Sequence, residues 1–217
     1  RGRHERTLGV LQAELEGVTF NTFDTRNADV SFAKALGSIF LKDPNIVLAA
    51  QLPDAQTADA ITRFASDTAA TGHRVYVGMP APDTLSALDL WMSLNSEKSD
   101  AIKSLRAIIA QRLVRILCPT CKIPYQPDEQ TLKRLNLPVG RNLQSFKANT
   151  GAILDKKGNK ITCPDCAGAG YKGRTGIFEV LIISDDIRKA VAAKANHSQI
   201  KGIARKANFS LLVESGI

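Results

Sequence analysis

Two cysteine pairs constrain the fold of this 217-residue chain more than any other feature. Cys118-Pro-Thr-Cys121 and Cys163-Pro-Asp-Cys166 hold all four cysteines, with the 41 residues 122–162 between them. A CP-x-C turn lets two thiolates converge on one ion. Two such turns supply the four soft ligands of a tetrahedral zinc site, with Zn–S of about 2.3 Å. The usual separation of the halves is about 15–20 residues, so the intervening segment is an enlarged insertion. Disulfides are the competing reading, but they need an oxidising compartment and the chain shows no sign of export. A redox CxxC needs one pair, and two are used. Because protein fills all four positions, the zinc expected on Cys118, Cys121, Cys163 and Cys166 is structural rather than catalytic.

The segments around the cysteines differ in character. Before them the pattern alternates helix and strand. Phe32, Leu36, Ile39 and Phe40 share a helical face, and Ile46–Ala50 reads as a buried strand after the Asp43-Pro44 break. Asp54 is placed to cap a helix that carries Ala58, Ile61, Phe64 and Ala65 and stops at Gly72. His73–Pro80 is a second strand, and Asp83 caps a helix with Leu85, Leu88 and Met92 inward. The spacing of Leu105, Ile108, Ile109, Leu113, Ile116 and Leu117 predicts a longer helix over 97–117. On that wheel Arg112 projects into the apolar stripe, either toward a partner subunit or phosphate or as a snorkelling side chain packed by its stem. Such an order implies an α/β fold with a mostly parallel sheet covered by helices. After the cysteines, the apolar run Ile177–Ile183 precedes two short helices, the first capped by Ser184 and the second over about 198–207.

Bulk composition excludes more than it selects. At 44% hydrophobic the chain can bury a real core, and no apolar run approaches the ~18 residues of a membrane span. The net charge of +8 favours acidic surfaces or phosphates. Lys and Arg are spread along the chain without an arginine-rich block, and aromatics are 6%, which disfavours a dedicated nucleic-acid binder. The chain opens on Arg1 without Met and is expected to be a piece of a longer protein.

The residues flanking the cysteines carry a resemblance. "AQRLVRILCPTCK" (110–122) and "CPDCAGAGYKGRTGIFEVL" (163–181) are similar to the C-terminal half of the type II secretion and type IV pilus assembly ATPases. "DVSFAKALGSIFLKDPNIVLAAQLPD" (29–54) resembles that family's segment around the Walker B strand, and Thr71-Gly72-His73 resembles its histidine box. The likeness covers about residues 11–217.

Its departures are concentrated where the family's chemistry lies. The Gly-Glu that ends the family's Walker B strand corresponds to Ala50-Gln51, and the arginine that follows to Pro53. His73 is kept, but Pro80 occupies the second histidine position. The acidic Glu-Asp-Pro box falls near Leu8-Gly9-Val10, where no acid remains, and no Walker A loop lies in this chain. A glutamate can orient or deprotonate the attacking water near Mg²⁺, whereas an amide can only hydrogen-bond it. Losing such a group costs several kcal/mol of barrier, at about 1.36 kcal/mol per tenfold in rate.

The resemblance therefore implies a RecA-like core portion over 1–117, a tetracysteine zinc module over 118–176, and a returning strand with C-terminal helices over 177–217. It implies a catalytically inactive paralogue that acts as an assembly or regulatory subunit of a type II secretion or type IV pilus machine. Structural zinc is the expected cofactor, and ATP with Mg²⁺ is not expected on this chain. The implied setting is a homo-oligomeric ring in the cytoplasm, peripheral at the inner membrane, contacting the inner-membrane platform and no nucleic acid. One alternative is a working motor whose P-loop lies upstream, and another is a zinc-stabilised interaction module.

Overall fold

The computed structural model describes residues 18, 19, 21, 23, 31–67, 72–134 and 145–216. Helix α1 (Phe32–Phe40) starts at Ser31, whose hydroxyl accepts the Lys34 N–H. Strand β1 (Ile46–Ala49) follows, then α2 (Ala55–Asp67) and β2 (Arg74–Val77). The Asp54 carboxylate accepts the Thr57 N–H at 2.8 Å, as expected of a cap. Strands β1 and β2 pair in parallel, Ile46 opposite Arg74 and Ala49 opposite Val77, with α2 as the crossover. Helices α1 and α2 meet through Phe40 stacked on Phe64, ring centroids 4.0 Å apart.

The chain segments that follow the two strands approach each other closely. The Gly78 N–H donates to Ala49 O at 2.9 Å, and a Cβ on Gly78 would lie 2.2 Å from Ala50 O. No side chain fits there without moving β2. Gly78→Ala should therefore lower stability by about 1–3 kcal/mol through overpacking. Gly37→Ala, inside α1 where an added Cβ would meet nothing within 4 Å, should instead raise it by about 0.5–1 kcal/mol. Urea midpoints compare the two, and equal tolerance of both changes would refute the close approach.

Helices α3 (Thr84–Leu94) and α4 (Lys98–Ser104) pack beside this unit. The Asp83 carboxylate accepts the Ser86 N–H and caps α3. Buried Asn95 accepts from the Thr62 hydroxyl at 2.6 Å and donates to Trp91 O, while the Trp91 indole donates to Ala101 O at 3.0 Å. Leu36, Val47, Ile61 and Trp91 form one core cluster.

Residues 97–117 do not form one helix. Helix α4 ends at Ser104, Leu105 is extended, and Ala107–Leu117 is a long strand, β3. It pairs antiparallel with β8 (Tyr171–Ile182), from Ala107 opposite Ile182 to Leu117 opposite Tyr171, with a register shift between Arg115 and Leu117. The apolar spacing of "AIIAQRLVRIL" satisfies a helical stripe and a strand alternation alike, and its β-branched Ile108, Ile109, Val114 and Ile116 favour the strand. Ile108 and Ala110 are buried and Ile109 is exposed, a period of two. Arg112 is thus a strand residue rather than part of a helical stripe.

Between these strands lie β4 (Ile123–Tyr125), α5 (Glu129–Arg134), β5 (Ser145–Lys147), β6 (Ile153–Leu154) and β7 (Lys160–Ile161). Strand β4 pairs with β5 and β6 with β7, both antiparallel. The expected mostly parallel sheet is thus met, among the described residues, by the β1–β2 pair alone. Beyond β8 come α6 (Asp185–Ala192), α7 (His197–Arg205) and α8 (Leu212–Ser215). Ser184 caps α6, and Asn196 with Gln199 closes a capping box on α7. Leu88, Ile102, Ile108, Leu181, Ile187 and Ile200 form the second core cluster.

The inward face of the β3–β8 ribbon meets these helices; the outward face does not. Ile109, Leu113, Phe178, Val180 and Ile182 stay exposed there, as do Ile46, Leu48 and Tyr76 on β1–β2. Both sheets are apolar on two faces and covered on one. Leu8-Gly9-Val10, the expected place of the acidic box, lies outside the described residues, as do Leu135 and Leu137.

Candidate metal centre

The four cysteines converge at the far end of the β3–β8 ribbon. Cys118 follows the last residue of β3, Cys166 precedes β8 by five positions, and the two pairs meet across the ribbon's end. Cys118, Cys121 and Cys163 are buried, Cys166 is half-buried, and all are free thiols. Their Sγ atoms lie within 4.8 Å of one another, with Cys118–Cys163 at 3.9 Å and Cys121–Cys166 at 3.6 Å. A tetrahedral ion with Zn–S of about 2.3 Å sets sulfurs about 3.8 Å apart. The set has the dimensions and donor chemistry for such an ion. No other group of three or more His, Cys, Asp or Glu side chains converges in this way among the described residues.

Local chain geometry makes the convergence possible. Ala167, Gly168 and Gly170 all have positive φ, so the chain after Cys166 curls back on its own thiol. The Gly170 N–H donates to Cys166 Sγ at 3.3 Å and its carbonyl accepts the Cys118 N–H at 3.0 Å. A Cβ on Gly170 would lie 2.9 Å from Asn149 O, so both its φ and its space require glycine. The Thr120 hydroxyl donates to the Asp165 carboxylate, tying one turn to the other at their third positions. Asn149 O lies 3.8 Å from Cys121 Sγ. These supporting groups were not singled out from the sequence; the only signal for them was the Gly-dense stretch "CAGAGY".

As free thiols Cys121 and Cys166 are not equivalent. Burial, reinforced by hydrogen bonding among the neighbouring thiols, pushes Cys121 up to about 12. Burial opposes ionisation at Cys166 too. There it is outweighed by the Gly170 N–H and the Cys121 and Cys163 thiols, which bring Cys166 down to about 7. Of these two, Cys166 is the readier thiolate at neutral pH, and an arriving cation would displace the proton of Cys121.

The residues singled out for nucleotide chemistry do not converge. Gln51 is exposed, just past the C-terminal end of β1, which is where ligands approach parallel strands. His73 precedes β2 at the opposite end of the same pair, since Arg74 sits opposite Ile46. Four residues of strand separate the two ends, roughly 13 Å at ~3.3 Å per residue. His73 lies instead against Phe64, ring centroids 6.1 Å apart, with Nδ1 3.5 Å from the Asp43 carboxylate. Pro80, three positions beyond β2, is on the Gln51 side. Arg112 reaches from the ribbon to the chain before α3, donating to Pro82 O at 2.7 Å and Ala81 O at 3.3 Å, and also to Gln111 O at 2.8 Å. It holds the turn that leads into α3.

The family model described as "Type II/IV secretion system protein" matches residues 9–217. This chain belongs to that family. The type IV pilus assembly ATPase PilB of Thermus thermophilus is 33% identical over 207 residues, covering 95% of this chain and 22% of PilB. The type II secretion system protein E of Pectobacterium carotovorum is 32% identical over 181 residues, covering 83% of this chain and 32% of that protein. Among solved structures, the ATPase DotB of Legionella pneumophila aligns with a TM-score of 0.45 at 14% identity, covering 84% of this chain and 36% of DotB. The chain thus spans about a fifth to a third of the length of these relatives. No described helix is long and apolar enough to cross a membrane.

Proposed function

We propose that this chain is the C-terminal region of a secretion- or pilus-type ATPase paralogue that no longer hydrolyses ATP and serves a type II secretion or type IV pilus machine as an assembly or regulatory subunit. The observation that carries the reading is Gln51, an amide at the C-terminal end of β1 where the family resemblance places a glutamate. An amide neither accepts a proton at that point nor adds negative charge beside Mg²⁺. The family's second histidine position on the same end holds Pro80, which has no side-chain donor or acceptor.

The remaining parts follow from this reading. Residues 1–117 are a core portion, 118–176 a module held by one structural zinc on Cys118, Cys121, Cys163 and Cys166, and 177–217 the closing strand and helices. The exposed apolar faces of β1–β2 and β3–β8 suit a portion of a larger body. In the full-length protein this portion joins a homo-oligomeric ring in the cytoplasm, peripheral at the inner membrane and in contact with its platform. A working motor that draws its phosphate-binding loop and its acid from elsewhere is the reading against which this one is tested.

Full-length protein separates the two. Its steady-state turnover with Mg-ATP should fall about 10²–10⁴-fold below that of a working relative, the usual worth of a general base. Gln51→Glu should recover part of the loss. Turnover at a working relative's rate in the unaltered protein would sink the proposal. This chain alone should show no micromolar binding of Mg-ATP by titration calorimetry, because the backbone cradle for phosphate is not among its residues.

A further inference from the structure

Lys and Arg are spread along the chain, but the acids are not. Residues 118–174 contain ten of the 29 basic residues and only four of the 21 acidic ones, Asp128, Glu129, Asp155 and Asp165. Their net charge is +6 of the chain's +8, and +4 once a zinc tetrathiolate adds its two negative charges. All four acids are engaged within the module. Asp128 accepts the Thr131 N–H at 2.8 Å, and Glu129 lies 3.8 Å from the Lys133 ammonium. Asp165 accepts from Thr120, and Asp155 is absorbed by the turn that joins β6 to β7.

That turn is tightly built. The Asp155 carboxylate accepts the Lys157 and Asn159 N–H groups, each at 2.8 Å, and Asn159 Nδ2 at 3.1 Å. These bonds, the Asn159 backbone foremost, hold its carboxyl below the usual range. The Asp155 N–H donates to Asn159 O at 2.9 Å, and Gly158 takes the positive φ that closes the loop. Lys156 and Lys157 project from this tip and Lys160 stands beside it on β7. All three are exposed, and no ion pair among the described residues engages them. Leu154, 67% exposed, stands opposite Lys160 and shares its face, while Ile161 pairs with Ile153 on the other. The neighbouring β4–β5 hairpin repeats the mixture with Lys122, Ile123, Phe146 and Lys147 at its surface.

Lysines beside a bare aliphatic side chain at a hairpin tip suit a surface that is negatively charged outside and apolar just beneath. Single-stranded nucleic acid would need open aromatic faces for stacking. Here the rings already carry the chain's own cations: Arg115 lies 3.7 Å from the Tyr171 centroid, Lys122 4.2 Å from Phe146 and Lys147 5.9 Å from Tyr125. We propose that the β6–β7 hairpin, through Lys156, Lys157, Lys160 and Leu154, docks the cysteine module on an anionic phospholipid surface. This deepens the peripheral placement proposed above, and it is read without reference to ATP turnover, so either proposal can fail alone.

The test is cosedimentation of the full-length protein with vesicles of mixed phosphatidylglycerol and phosphatidylcholine, against phosphatidylcholine alone. Binding should need the anionic lipid and weaken with salt. Replacing Lys156, Lys157 and Lys160 together by Gln should weaken it roughly 100-fold, at about one kcal/mol per lysine. The same charge removed through Lys34, Lys42 and Lys189 should weaken it less than about fivefold. In a Leu154→Trp variant, the emission gained over the unaltered protein should shift to the blue on the anionic vesicles, since an apolar environment does this only if the tip enters the interface. Equal losses in the two lysine triples, an unshifted emission from the Leu154→Trp variant, or binding to RNA or an acidic polypeptide with none to vesicles would each overturn the proposal.

Discussion

Removing the metal from the full-length protein, or changing Cys163 to Ser, should open residues 122–162 to protease while the helices around Leu88 and Ile187 stay folded. The reason is what the module has for a core. Among the described residues, its one cluster of buried side chains consists of Cys118, Cys121 and Cys163, with Ile153 and Cys166 packed against it. Leu132 is buried separately, and Phe146, Leu154 and Ile161 lie outward. Such a segment cannot offset the entropy of ordering its backbone, about 1–2 kcal/mol per residue, by apolar burial alone. A structural zinc in a small peptide supplies about 10–16 kcal/mol apparent at neutral pH. The effect should also reach the ribbon. Cys118 donates its N–H to Gly170 O just past the register shift, so exchange protection should fall at Leu117 and Tyr171 and persist near Ile108 and Leu181. Elemental analysis gives the direct check. One zinc per chain is expected, and a native preparation without it, or four thiols that titrate freely without denaturant, would refute the metal.

Glu179→Ala should be the most damaging single change outside the cysteines, at about 2–4 kcal/mol. Glu179 is 2% exposed and sits on β8 in the middle of the second core. One carboxyl oxygen accepts the Thr84 N–H at 3.0 Å and its hydroxyl at 2.5 Å, at the start of α3. The other accepts the Leu212 N–H at 3.0 Å, at the start of α8. Alanine leaves three donors without their acceptor and a cavity beside them. Helix α8 has four residues, too few to persist without tertiary support, and it should detach first. Ser215 also donates to Phe178 O at 2.9 Å, and Arg205 pairs with Glu214 at 2.6 Å. Urea unfolding gives the size of the loss, and hydrogen exchange at Leu212 gives its location. A loss below about 1 kcal/mol, or unchanged protection at Leu212, would show that Glu179 is not the link.

Features encoded within a single turn of chain were legible from residues alone. Asp54, Asp83 and Ser184 each accept an N–H three positions on, from Thr57, Ser86 and Ile187. A capping side chain and the N–H it accepts lie within one helical turn, so no distant partner is needed to place them. The CP-x-C spacing is local in the same sense, and it marked four thiols that the fold brings within 4.8 Å of one another.

What depends on a distant partner was decided only in three dimensions. Residues 107–117 carry an apolar pattern that suits a helix and a strand equally, and pairing with β8, more than fifty residues away in sequence, makes them a strand. The same pairing puts Arg112 on a strand, where it donates to Ala81 O and Pro82 O. Parallel pairing of β1 with β2 set Gln51 and His73 at opposite ends of one sheet. Glu179 drew no attention in the sequence, because a glutamate in an apolar run shows its worth only when two helix starts arrive to use it. Local hydrogen bonds are specified by neighbours in sequence. Strand pairing and buried polar links are specified by which segments meet, and that is a property of the whole packed chain.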